Sequence, residues 1–300
     1  MTCRCSWAVG FVVVVVGAVT LVTAQERQAR PAQGGLPAGT KVTRDLEYVK
    51  GGHERQKLDL YLPERADGPL PAIVWIHGGA WRQGSKDRCP AMPFVAKGYA
   101  VASINYRLSQ HAPFPAQIGD CKAAIRWLRA NAANYHFDPD HIGVWGASAG
   151  GHLVALLGTT GDMKQLEGKE GNLDQSSRVQ AVVDWFGPSD FRNTKTSSKD
   201  SPVVQLLGGP VSENRERAAL ASPLAHVAKN DPPFLIMHGD KDPTVALSQS
   251  EMLAEALKKA GVDLTLEVLK GAKHGGPEFS SPESRKLIEE FFAKHLKKKG

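Results

Sequence analysis

Five short apolar runs, at residues 72–76, 100–104, 142–145, 179–185 and 234–237, constrain the fold of this chain more than any other feature of it. Runs so short, with little polar alternation, are the pattern of strands buried on both faces, which occur where helices cover each side of a parallel sheet. The stretches between them supply the helices. Residues 115–133 place Ile118, Cys121, Ala124, Ile125 and Leu128 at helical spacing, and 149–157, 248–260 and 282–297 also read as helical. Strand and helix in alternation imply right-handed crossovers and an α/β architecture. Residues 43–50 and 57–62 instead alternate apolar and polar around Gly51-Gly52, which predicts a half-solvated antiparallel hairpin, and 264–269 reads as an edge strand. The one long irregular insertion, 187–231, is too short for a large lid but has room for a small helical flap near 203–207.

Length and composition fit one globular domain, placed at 41–300: 42% hydrophobic and 23% charged residues exclude a disordered, fibrous or multi-span chain. The N-terminus is of another kind. One Arg precedes an uncharged apolar run at 8–22, and Val22-Thr23-Ala24 offers the small residues a signal peptidase reads, so the first 24 residues are expected to be an export signal cut after Ala24. A polar leader, 25–40, then precedes the domain. Removing the signal deletes Arg4 alone among the charged residues and lowers the net charge from +6 to +5, with no basic block beyond the Lys297-Lys298-Lys299 tail; no nucleic-acid partner and no stable membrane insertion are expected. Cys89 and Cys121 remain, and an oxidising compartment leaves a disulfide and two free thiols both open.

The chemistry is concentrated in Gly146-Ala147-Ser148-Ala149-Gly150-Gly151, between the apolar run ending at Trp145 and an apolar helix. A nucleophile on so tight a strand-to-helix turn needs small neighbours, and the helix behind it turns its free N–H groups and positive end toward developing negative charge. A second motif, His77-Gly78-Gly79-Ala80-Trp81, follows the run 72–76. Together they resemble the lipase and esterase branch of the α/β-hydrolases. That resemblance implies a mostly parallel central sheet flanked by helices, an oxyanion hole built from the amides of Gly79, Ala80 and Ala149, and a structural role for His77. It also implies the chain order Ser, acid, His. Two acids compete in His238-Gly239-Asp240-Lys241-Asp242; Asp242 matches the pattern, and Asp240 reads as a turn-stabilising side chain. His274, in the small-residue loop after 264–269, is the expected base, while His152 reads as packing and His295 as a surface residue.

Asn105-Tyr106-Arg107-Leu108, Pro113-Phe114-Pro115 and Gly-Ala-Ser-Ala-Gly-Gly-His-Leu at 146–153 are similar to a narrower group, the bifunctional feruloyl and acetyl-xylan esterases and related small carboxylesterases. The resemblance implies a small-molecule or polysaccharide-linked ester as substrate. It places Trp81 in the substrate cleft; Trp185 and Phe186, at the end of another apolar strand, are further lining candidates that core packing explains equally well. An arylformamidase, a serine peptidase and a non-catalytic binding protein on the same fold are the competing readings. No metal or cofactor is expected: the histidines are scattered, and neither a dinucleotide fingerprint nor a phosphate loop is present.

Overall fold

The computed structural model describes residues 1–2, 35–161 and 163–297. The expected export signal and most of the leader lie outside the described residues. A single eight-stranded sheet organises the rest, in the order β1-β2-β4-β3-β5-β6-β7-β8. Its strands are β1 (Thr40–Glu47), β2 (Lys57–Pro63), β3 (Leu70–Ile76), β4 (Ala100–Ile104), β5 (Phe137–Ala147), β6 (Ala181–Trp185), β7 (Phe234–Gly239) and β8 (Leu264–Leu269). The first two strands enter antiparallel, β1 on β2 and β2 on β4. From β4 to β8 every pairing is parallel. This is the α/β-hydrolase fold.

Successive residues of a strand point to opposite faces, and the buried side chains sort accordingly. Ala72, Val74, Ile76, Ile142, Val144, Val182, Phe234 and Ile236 face a layer formed by the helices α1 (Ala116–Ala130), α3 (Ala149–Thr159) and α6 (Ser248–Ala260). Ile73, Trp75, Trp145, Val183, Trp185, Leu235 and Met237 face α7 (Pro282–Leu296) and the 3-10 turn at Met92–Lys97. Burial on both faces is the reason these strands carry no polar alternation.

Several expected boundaries move. The hairpin strand ends at Glu47, paired with Lys57, rather than at residue 50, and Asp45, at φ 56°, accompanies a register shift between Thr43 and Leu46. It also starts at Thr40, inside the expected leader, where Thr40 pairs with Pro63. The first long helix stops at Ala130. Asn131 leaves helical geometry, its carboxamide donates to Trp127 O at 2.8 Å, and a separate four-residue helix, α2 (Ala132–Tyr135), follows. The insertion after β6 carries α4 (Pro202–Leu207), at the place of the expected flap, and α5 (Arg215–Leu220), which the sequence reading did not separate from loop. No large lid forms among the described residues. Cys89 and Cys121 are free thiols. A bridge between them is excluded, since Cys121 lies in the α1 layer and Cys89 packs against the opposite face of the sheet.

Candidate active site

Ser148 sits between β5 and α3 with φ 56° and ψ −117°, a conformation sparsely populated for a residue bearing a side chain. Its neighbours show why the turn needs glycines. A Cβ on Gly146 would lie 2.3 Å from Gly150 O, and one on Gly150 would lie 2.0 Å from Ile76 O. Gly151 is restricted too, because a Cβ there would meet Asp184 Oδ1 at 2.3 Å. The Ser148 amide donates to Trp185 O at 2.8 Å, tying the elbow to the end of β6.

Two loops deliver the partners. Gly239, closing β7, packs directly on the loop after β8: a Cβ at Gly239 would lie 2.3 Å from Ala272 O. Asp240 Oδ1 accepts from Gly271 N at 2.6 Å and so holds the two loops together, rather than bonding the backbone of its own turn as expected from the sequence. His274 then stands with Nε2 2.8 Å from Ser148 Oγ and Nδ1 2.7 Å from Asp242 Oδ2. The consistent protonation has Nδ1–H donating to the carboxylate and Nε2 accepting from the serine hydroxyl. Asp242 Oδ1 accepts from the amides of Thr244 and Val245, at 2.8 and 3.0 Å. Burial acts to raise the Asp242 pKa, but these amides and His274 outweigh it and hold the carboxyl below its usual range.

The His77–Trp81 loop lies against the elbow, since a Cβ on Gly78 would sit 3.3 Å from Ser148 Cβ. Gly79, Ala80 and Trp81 all have positive φ, at 111°, 53° and 57°. Gly79 has no alternative: a Cβ would lie 2.3 Å from Gln83 O. Among the described residues no protein group accepts from the amides of Gly79, Ala80 or Ala149. His77 is fully engaged elsewhere. Its Nδ1–H donates to Gly78 O at 2.7 Å, its Nε2 accepts from the Arg55 guanidinium at 3.2 Å, and its ring stacks on Tyr106 at 4.5 Å. Burial pushes its pKa down to about 4, so it is neutral at pH 7 and serves as a loop anchor.

The three aromatics expected in the cleft fall in different places. Phe186, at φ 44°, packs its ring 4.6 Å from that of His274 and 4.7 Å from Phe279. Trp185 lies on the far face of the sheet against Trp75 and Trp145. Trp81 is 4% exposed and donates from Nε1 to His152 Nδ1 at 3.1 Å, while His152 Nε2–H donates to Ala221 O at 2.7 Å. His152 is thus the satisfied packing residue expected. Of the three aromatics, Phe186 is the one whose ring packs on His274. The sequence reading missed Arg55, which pins His77, and His238, which lies against Asp242 at 3.3 Å. It also missed Asp184, buried beneath the elbow with Oδ1 accepting from Gly187 N at 2.9 Å and with its pKa pushed up by burial to about 7. Among the described residues no cluster of three metal-ligating side chains occurs, and no helix is long and apolar enough to cross a membrane.

Fold and site together define an α/β-hydrolase with a serine, histidine and aspartate in hydrogen-bond contact. The BD-FAE family model matches residues 58–257, and the chain belongs to that family. Esterase LipQ of Mycobacterium tuberculosis is 33% identical over 257 residues, covering 82% of this chain and 60% of the relative. The chain therefore spans about three fifths of that curated relative's length. Among solved structures, a truncated carbohydrate esterase from gut microbiota superposes with a TM-score of 0.81 at 36% identity, covering 88% of this chain and 98% of the other. An acetyl ester-xyloside bifunctional hydrolase from Caldicellulosiruptor lactoaceticus gives 0.68 at 28% identity, covering 79% and 87%.

Proposed function

We propose that this protein is a serine carboxylic-ester hydrolase acting through an acyl-enzyme. The reading is carried by the unbroken contact Ser148 Oγ–His274 Nε2, His274 Nδ1–Asp242 Oδ2, at 2.8 and 2.7 Å. His274 takes the proton as Ser148 attacks the ester carbonyl, Asp242 orients the ring and stabilises its charged form, and the protonated ring then gives its proton to the departing alcohol. A water activated by the same ring releases the acid. The oxyanion is assigned to the amides of Gly79, Ala80 and Ala149, donors whose removal costs about 3–4 kcal/mol each in comparable sites. Ser148's own amide serves Trp185 O instead.

The substrate class follows from likeness rather than from geometry: short acyl or aromatic esters, acetyl or feruloyl, carried on plant polysaccharide. The carbohydrate esterase and the acetyl ester-xyloside hydrolase among its structural relatives support the acetyl and carbohydrate parts of it. Hydrolysis of p-nitrophenyl esters, feruloyl esters and acetylated xylan, each with wild type and Ser148→Ala, tests both parts. Residual wild-type rates in Ser148→Ala would sink the mechanism; activity on formanilides or Pro-amides alone would replace the substrate class. Export is proposed from the apolar run and the Val22-Thr23-Ala24 site. N-terminal sequencing of protein recovered outside the cytoplasm is expected to begin at Gln25.

A further inference from the structure

Asp242 is gripped on both carboxylate oxygens, and one of the groups at Oδ2 is a second imidazole. His238, the penultimate residue of β7, is fully buried. Its Nε2 lies 2.9 Å from Val245 O and 3.3 Å from Asp242 Oδ2, the same oxygen that accepts the His274 Nδ1–H hydrogen bond at 2.7 Å. Val245 O is only an acceptor, so Nε2 carries the hydrogen and donates it there, which leaves the positive N–H edge of the ring beside Asp242 Oδ2. On the other side, Nδ1 lies 2.7 Å from Ser250 Oγ in α6 and accepts its hydroxyl proton. Val245 O therefore selects the tautomer, the Ser250 hydroxyl turns to match it, and the N–H edge of the ring lies beside Asp242. The groups that titrate beside this ring are Asp242 and His274; the other face of its pocket is the Phe186 ring, at 6.4 Å. Burial is the largest influence on His238 and lowers its pKa from the ordinary imidazole value, which favours the neutral ring.

We infer that His238 is a positioning residue for the triad: by holding its N–H edge 3.3 Å from Asp242 Oδ2 it restricts the rotation of the carboxylate and stabilises its charge, and thereby sets how tightly His274 holds a proton. Two amides on Oδ1 and two imidazoles at Oδ2 leave the carboxylate one orientation. A carboxylate that loses a donor is more basic and holds the His274 imidazolium more strongly, so the base is harder to deprotonate. This rests on the esterase reading, and its test is separable from it. The His274 ring is titrated by NMR in wild type, His238→Phe, His238→Asn and Ser250→Ala, and kcat and KM are followed against pH on p-nitrophenyl acetate. His238→Phe is expected to move the His274 titration and the acid limb of kcat/KM upward by roughly 0.5 to 1 on the pH scale. It should lower kcat roughly tenfold with KM within about twofold. His238→Asn, which keeps an N–H donor, should bring the limb back toward wild type, and Ser250→Ala, which leaves Val245 O to hold the Nε2 hydrogen, should leave it near wild type. A folded His238→Phe with an unmoved His274 titration overturns the inference, as do equal losses in Phe and Asn with neither titration displaced. If His238→Phe fails to fold, an unmoved titration in a folded His238→Leu overturns it instead. Absence of ester hydrolysis in wild type would defeat the esterase reading while leaving the NMR comparison decisive for His238.

Discussion

Gly150 and Ile76 meet backbone to backbone: a methyl group on the glycine would lie 2.0 Å from the isoleucine's carbonyl oxygen. The contact joins the first turn of α3 to the end of β3, and so sets the nucleophile's elbow against the loop that begins at His77. Neither atom is a side chain that can swing away. Gly150→Ala is therefore expected to cost about 3 kcal/mol or more of stability, as overpacking against rigid backbone does. It should also cut turnover by displacing Ser148 from the Gly79 and Ala80 amides. Denaturant unfolding together with kcat/KM checks both, and a variant of wild-type stability and rate would show that the elbow yields.

Ser148 holds φ 56° despite its side chain. Such strain costs on the order of 1–3 kcal/mol, against a loss of about 0.5–1 kcal/mol for the greater unfolded-state freedom of glycine. Ser148→Gly is expected to abolish hydrolysis and yet raise the thermal midpoint, with Ser148→Ala equally dead and of near wild-type stability. Activity loss should be on the order of 10³-fold or greater. A lower midpoint for the glycine variant would show that the turn is not strained.

Asp240 and Asp242 sit two residues apart in one turn but do different work. Asp242→Asn is expected to lower kcat by on the order of 10⁴-fold, because the amide supports the wrong imidazole tautomer. Asp240→Asn, which keeps an acceptor for Gly271 N and loses only its charge, should keep at least most of the rate and cost about 1 kcal/mol or less. Comparable rate losses in the two would reassign the acid.

Three buried groups tie stability to pH in opposite senses. Burial lowers His77 and His152 from 6.5 to about 4. The unfolded chain binds those protons first as pH falls, so their contribution is complete above pH 6.5 and is lost on the way down to pH 4. Asp184 runs the other way: its carboxyl is raised from 3.8 to about 7, chiefly by burial, and Oδ2 has no hydrogen-bond partner among the described residues. Its protonated form favours the fold at low pH, and that advantage fades as pH rises from 4 to 7. A tenfold difference in proton affinity between the folded and unfolded chain is worth about 1.4 kcal/mol. Asp184→Asn, which keeps an acceptor for Gly187 N, should leave stability at pH 4 nearly unchanged and increase it at pH 8, steepening the rise between. Denaturant midpoints at the two pH values decide it, and an Asn variant that is no more stable at pH 8 would show that Asp184 ionises without penalty.

The sheet was legible because burial on both faces leaves continuous apolar strands, as at β3 and β4. Ends were less so. β5 begins at Phe137, but Asp138, Asp140 and His141 break its apolar run, and only pairing with Leu70 across a register shift marks them as strand. The helix stop at Asn131 was hidden in an Ala-rich stretch, because it depends on a side-chain bond to Trp127 O. At the site, Ser148, Asp242 and His274 could be found because each lies on a recognisable small-residue turn. His238 could not: its role depends on a turn folding Asp242 and Val245 back over the ring, and on α6 presenting Ser250. The one available signal was a histidine four residues before the acid. Trp81 shows the limit from the other side, since its place beside the glycine loop did not reveal that its indole turns to His152.

Cys89 and Cys121 lie in layers separated by the sheet. No breathing of a loop brings two sulfurs together through a wall of hydrogen-bonded backbone. Any molecule recovered with them covalently joined has passed through a state in which that wall was absent, so oxidised monomer on a non-reducing gel would serve as a tally of failed folding rather than of maturation.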